Sequence, residues 1–417
     1  MKQEEKNILW IDWIQLILIC LIAPLFLFPS MKHAWIFLIV PIIWICRWVV
    51  KGRFFERTTL DWVIVVLLIQ VISTTIIVPN LGFSLPKIAG AFFGLVFFYS
   101  VIGLIKSEKL MKLGILAFLT AGLMLSIIGI LGIQWDTSEI YSDKIIPKIE
   151  KIIPKIDWNL SGAEEGFNSN AIGGTLILII PLCLTLFVSY IKGKNVSYLI
   201  SSRLLTLSFF SIILFVTCSV LILSLSMGSW MGLSVSIWIL LLPWRWKKWS
   251  LLLVLLLIAF IFILSADKTK IINDNLKSGY MKRKAFWLVG ADTISCHPFS
   301  GIGMNRIRQI PAIGYTSSHV HNHLLHTASE LGIPGLIAYL AILIGVGFMC
   351  FEIFCKSKMG WMKMTALGLG CGQLAHFIFG MADSIPLGAK VGIFFWFSLA
   401  LIVAIHSYVL KRELHLV

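Results

Sequence analysis

The sequence predicts an all-α protein that crosses a membrane about twelve times, with a helical cap on the outer side between the ninth and tenth crossings. Three observations predict it. Hydrophobic residues make up 58% of the 417, against roughly 45–50% in ordinary soluble domains. Charged residues make up 13%, against about 25% in such domains. Apolar runs long enough to span a bilayer recur along the chain, and the basic residues between them gather on one side. A soluble enzyme is excluded, because a globule of this composition would leave far too much apolar surface in water. Disordered, collagen-like and disulfide-scaffold classes are excluded too, since Gly (32) and Pro (13) are ordinary and the eight cysteines are scattered.

About 20 apolar residues are needed for a helix to cross the hydrocarbon layer, where only helices and closed barrels satisfy their own backbone hydrogen bonds. Runs that meet this are residues 8–29, 33–50, 60–79, 86–106, 110–133, 168–191, 204–223, 230–244, 249–265, 332–354, 361–381 and 388–410. The first lacks a small-residue cleavage site and exceeds a signal-peptide core, so it counts as a span. The run 230–244 is the shortest. With the amino terminus inside, the inner connections hold Lys2, Lys6, Arg47, Lys51, Lys106, Lys192, Lys248, Lys356 and others, whereas the short outer ones hold Lys32, Lys87 and Lys390. This is the positive-inside pattern. The net charge of +15 is thereby mostly topological and does not indicate nucleic acid. Trp10, Trp48, Trp62, Trp246 and Trp361 cluster at span ends, as interfacial anchors do.

Two connections are long. Residues 134–167 form an outer loop with a near-duplication, Ile145-Ile146-Pro147-Lys148-Ile149-Glu150 then Ile152-Ile153-Pro154-Lys155-Ile156-Asp157, whose apolar–charged alternation suits a rim on the membrane surface. Residues 266–331 exceed a plain connection. There an amphipathic helix is expected from Ser278 to Ile294, then a turn at His297-Pro298-Phe299-Ser300-Gly301-Ile302-Gly303, and a second amphipathic stretch from His321 to Leu331 leading through Gly332 and Pro334 into span ten.

Ionisable residues are nearly absent from mid-membrane depth. Asp12, Asp61 and Glu352 fall near span ends, and His376 and His406 are expected to bond to neighbouring helices. A transporter would need more. The densest polar chemistry is Ser317-Ser318-His319-Val320-His321-Asn322-His323-Leu324-Leu325-His326. Four histidines could bind a metal, but no Asp, Glu or Cys is interleaved, and Glu330 is the only nearby carboxylate. A general base is favoured over that and over a plain surface helix, because imidazole titrates nearest neutral pH and can take a hydroxyl proton.

Here the sequence resembles the O-antigen ligases and related O-antigen polymerases of bacterial inner membranes. His321-Asn322 followed by Gly332-Ile333-Pro334-Gly335 carries the likeness. His297-Pro298 with Gly301-Ile302-Gly303-Met304-Asn305, Arg283 before Trp287, and Gly166-Phe167-Asn168-Ser169-Asn170 reinforce it. The resemblance implies a GT-C-like membrane glycosyltransferase of the inner membrane, with both termini cytoplasmic and the site on the periplasmic face. Its partners would be an undecaprenyl-pyrophosphate-linked glycan donor, a lipid A-core or other glycan acceptor, and the bilayer, with no cofactor and no metal.

It further implies that His321 is the base and that Arg283 holds the leaving pyrophosphate, as guanidinium groups can; Arg306 and Arg308 are added from this sequence alone. Asn322 is expected to cap a helix, His319 and His323 to orient His321 or meet sugar, and Glu330 to bond an arginine or face solvent. One departure stands out: where many members carry Ser-Arg-Gly, this chain reads Ser226-Met227-Gly228. An O-antigen polymerase, a transporter and a catalytically silent homologue are the competing readings.

Overall fold

A computed structural model describes residues 13–14, 17–18, 39–52, 54–77, 81–134, 167–192, 203–241, 269–310 and 319–414. They form helices α1 (Ile39–Lys51), α2 (Asp61–Ile77), α3 (Leu81–Leu104), α4 (Glu108–Gly132), α5 (Ser169–Ile191), α6 (Arg203–Leu223), α7 (Met227–Leu241), α8 (Thr269–Cys296), α9 (His323–Lys356), α10 (Gly360–Ala382) and α11 (Ile393–Leu414). Two-residue strands β1 (Ile133–Gln134) and β2 (Phe167–Asn168) pair in parallel, Ile133 beside Phe167.

Among the described residues, seven helices are long and apolar enough to cross a membrane: α3, α4, α5, α6, α9, α10 and the element ending the chain, with Asp61–Ile76 and Met227–Leu241 shorter. The expected runs 8–29 and 249–265, and the duplicated motif of 145–157, lie outside the described residues apart from four residues of the first run. The count of twelve is therefore matched only in part. The junction expected before span ten falls at Gly332, as the sequence suggested. Span ten and the amphipathic stretch before it are one element, α9, broken at Gly332 (φ 71°, ψ 175°).

Close helix contact depends on small residues, since lipid offers no hydrophobic drive between helices. A Cβ at Gly372 of α10 would meet the Leu178 backbone of α5, and one at Gly232 of α7 would strike the Ala375 carbonyl of α10. Gly94 of α3 receives the ring of Trp396 from α11. The two intramembrane histidines bond as expected. His376 Nδ1 lies 2.9 Å from the Gly174 carbonyl of α5, and His406 Nε2 lies 2.7 Å from Glu352 of α9. The described cysteines are free thiols.

The helices alternate, so their ends sort into two faces. At one, Arg47 and Lys106 both reach Glu56, at 3.3 and 2.7 Å. Asp61 there accepts hydrogen bonds from Thr58 and, at 2.9 Å, from Tyr99, and Lys356 pairs with Glu352. These are residues the charge pattern assigns to the inner side. At the opposite face lie the β1–β2 clasp, the α6–α7 turn, the end of α10 and the start of α9. Trp62 is 81% exposed, as an interfacial anchor should be, but Trp361 departs from that expectation. It is 3% exposed, packed in the core with Lys112 Nζ 5.2 Å above its ring.

Candidate functional site

The start of α9 is set by Asn322. Its Oδ1 accepts from the Leu324 and Leu325 amides, both at 3.1 Å, satisfying donors a helix leaves unpaired. This is the cap the sequence suggested. Immediately before it, His321 has φ 54°, a left-handed conformation uncommon outside glycine that tends to persist where surrounding structure enforces it. Trp287 Nε1 of α8 donates to the His321 carbonyl at 3.4 Å, and the Phe286 ring centroid stands 5.8 Å from the imidazole.

The carboxylate absent from the histidine run comes from elsewhere. Asp383 ends α10, its amide bonded to the Phe379 carbonyl at 2.9 Å. Its Oδ1 accepts from Ser384 N at 2.8 Å and from His319 Nε2 at 2.7 Å, and lies 3.3 Å from His321 Nδ1. The two imidazole centroids are 4.5 Å apart. A carboxylate can only accept, so the ring nitrogens facing it carry their protons. Burial raises the Asp383 carboxyl, but hydrogen bonds and charge from His319 and His321 outweigh it and hold the group well below the usual carboxylate range. Burial in turn pushes the His319 imidazole below its ordinary value, against the opposing pull of Asp383.

His323 is buried, its Nδ1 3.1 Å from Ser384 Oγ and its ring 4.7 Å from Tyr339. It braces the loop carrying Asp383. Glu330 is buried and does not face solvent. Its Oε1 accepts from Asn305 N at 2.6 Å and its Oε2 lies 3.3 Å from His326 Nε2.

Beneath this layer, Pro334 has no amide to give the Glu330 carbonyl, and the break at Gly332 frees the Ser329 carbonyl. Gly303 and Ile302 donate to these at 3.0 and 2.9 Å, and Ile333 donates to the Pro298 carbonyl at 2.7 Å. Gly301 and Gly332, both at positive φ, face one another so closely that a Cβ on either would strike the other segment's backbone. The two glycine motifs of the sequence are thus the halves of one joint.

Ala285 and Phe286 of α8, Ile307 and Val320 form a small buried cluster. It fastens three segments together: α8 with Arg283, the turn Arg306–Gln309 with Arg306 and Arg308, and the segment carrying the histidines. Arg283 precedes Phe286 and Trp287 by three and four positions and is exposed on that helix face. Arg306 is half-buried and Arg308 exposed. Met227, 48% exposed, opens α7 in a turn whose Gly228 packs on Ala382, next to Asp383.

Residues 211–340 match the family model described as O-antigen ligase. Over that stretch, about a third of the 417 residues, the chain is similar to the O-antigen ligase family. No curated protein matches it. The O-antigen ligase match covers α7, the α6–α7 turn, α8, the glycine joint and the histidines, and stops before α10. Asp383 and Ser384, which sequence reasoning missed, therefore lie beyond it. One signal could have found Asp383: it is the only acid in the short connections that the charge pattern assigns to the outer side.

Proposed function

We propose that the protein is a membrane glycosyltransferase, moving a glycan from an undecaprenyl-pyrophosphate carrier to a sugar hydroxyl of lipid A-core, at the outer face of the bacterial inner membrane. The observation that carries the reading is the Asp383 carboxylate 3.3 Å from His321 Nδ1. With a proton held at Nδ1, the lone pair resides on Nε2, and the ring, 26% exposed, is a base for an incoming hydroxyl. Nε2 takes the hydroxyl proton as the oxygen bonds to the anomeric carbon. The bond from that carbon to the phosphate oxygen breaks, and its electron pair leaves with the undecaprenyl pyrophosphate. Arg283, with Arg306 and Arg308 from the adjoining turn, neutralises that charge. Asp383 and His319 are positioning residues.

The test is transfer from a lipid-linked glycan to lipid A-core in proteoliposomes, with native protein, His321→Ala, Arg283→Ala and Asp383→Asn. Turnover is expected to fall by about 10²–10⁴-fold for His321→Ala and by about 10²-fold or more for Asp383→Asn. Equal product from all four proteins would remove the assignment. A product lengthened on its own carrier, with no lipid A-core required, would make the protein a polymerase using the same groups.

A further inference from the structure

The sequence alone argues against a metal because no carboxylate is interleaved with the histidines, and the fold removes that objection. His319, His321 and Asp383 each offer one ligand atom, and the three atoms lie within 4.8 Å of one another. His321 Nδ1 and Asp383 Oδ1 stand 3.3 Å apart. Metal–ligand bonds of about 2.0–2.2 Å in tetrahedral geometry separate neighbouring ligand atoms by roughly 3.3–3.5 Å. That pair is already at the required spacing. The closer pair, His319 Nε2 and Asp383 Oδ1 at 2.7 Å, opens by about half an ångström when an ion replaces the shared proton.

Neighbouring groups also hold two of the three residues in place. Ser384 N donates to Asp383 Oδ1 at 2.8 Å, and the Trp287 indole holds the His321 backbone. Two imidazoles and one carboxylate suit zinc and its neighbours; hard ions such as magnesium prefer oxygen alone.

We propose that His319, His321 and Asp383 form a binding site for a divalent transition metal, with Zn²⁺ the best fit, and that its occupation shuts off glycan transfer. The site stands on the three side chains alone, whereas the inhibition rests on the transfer reading above. A neutral imidazole has one lone pair. When His321 Nδ1 donates it to the ion, the ring proton must sit on Nε2, the nitrogen that would take the acceptor's proton. The bound ion and the base are therefore mutually exclusive states of one ring.

The experiment uses the full chain, purified in detergent and stripped with chelator, and titrated with zinc chloride alone by calorimetry. Cobalt spectra supply a second readout, because thiolate ligands give a charge-transfer band that histidine and carboxylate do not. One zinc per chain is expected, with no thiolate band. His319→Ala and the isosteric Asp383→Asn should each weaken binding by more than about 10-fold, while Cys296→Ser leaves it unchanged. Elution of each variant as native protein on a sizing column separates lost ligands from lost fold. Zinc bound equally by native protein and both ligand variants, or by none of them, overturns the site. Where native protein transfers glycan, added zinc should stop it and chelator restore it. Transfer that continues with the site filled overturns the inhibition, and transfer by a protein that binds no zinc overturns the metal site while leaving the transfer reading intact.

Discussion

His321 sits at φ 54° because both neighbours are fixed: Val320 is buried against α8, and Asn322 must cap α9. Of the residues that tolerate this region, histidine is one that also titrates near neutrality. The candidate base was legible in the sequence, since four histidines stand together before a span. Its partner was not, because Asp383 is 64 positions from His319 and only the packing of α9 on α10 brings them together. Met227 belongs to the same neighbourhood. Its turn packs beside Ala382, so a guanidinium there would add a positive charge near Asp383 and the outer mouth. Met227→Arg is expected to raise transfer by about 10-fold, the value of a charge-assisted hydrogen bond, as read by initial rates with lipid-linked donor. A fall in rate would mean that donor phosphates are held elsewhere.

At the scale of elements, the break inside α9 is the most exacting feature. Gly332 has φ 71° and ψ 175°, a combination essentially restricted to glycine. Gly332→Ala therefore combines a backbone penalty of about 1–2 kcal/mol with a Cβ pressed onto the Phe299 backbone. A lower melting temperature and lost transfer are expected. Gly347, on the same helix, has nothing within 4 Å of an added Cβ and ordinary helical backbone. Gly347→Ala should be neutral or stabilising by up to about 1 kcal/mol, so thermal melts of the pair isolate the joint from helix propensity. The sequence signalled a break at Gly332-Ile333-Pro334 through glycine and proline chemistry. It did not show that the orphaned carbonyls pair with the Pro298–Gly303 turn, because hydrogen bonds across the joint follow no sequence periodicity.

For the whole molecule, hydropathy and charge were enough to read the membrane class and the alternation of helix ends. Lys106 and Lys356 fall at one end and the histidines at the other. Absolute orientation is tested by reporter fusions: those near Ser161 and Ser318 should report the outer side, and those near Lys194 and Lys248 the inner. An inner signal at Ser318 would place the histidines away from an outward-facing lipid-linked donor. Burial was less legible. Trp361 reads as an anchor yet packs inside, because the sequence does not say which side of a helix meets lipid and which meets protein.

The clasp of Ile133–Gln134 with Phe167–Asn168 ties both ends of the long outer loop at one point, and Asn168 then caps α5 directly, its Oδ1 2.8 Å from Asn170 N. A change in length between those anchors costs little in loop closure, since that cost grows only slowly with length. The tandem copies at Ile145–Glu150 and Ile152–Asp157 sit within that interval. A lineage could gain or discard a copy there while both ends stay fastened at the clasp.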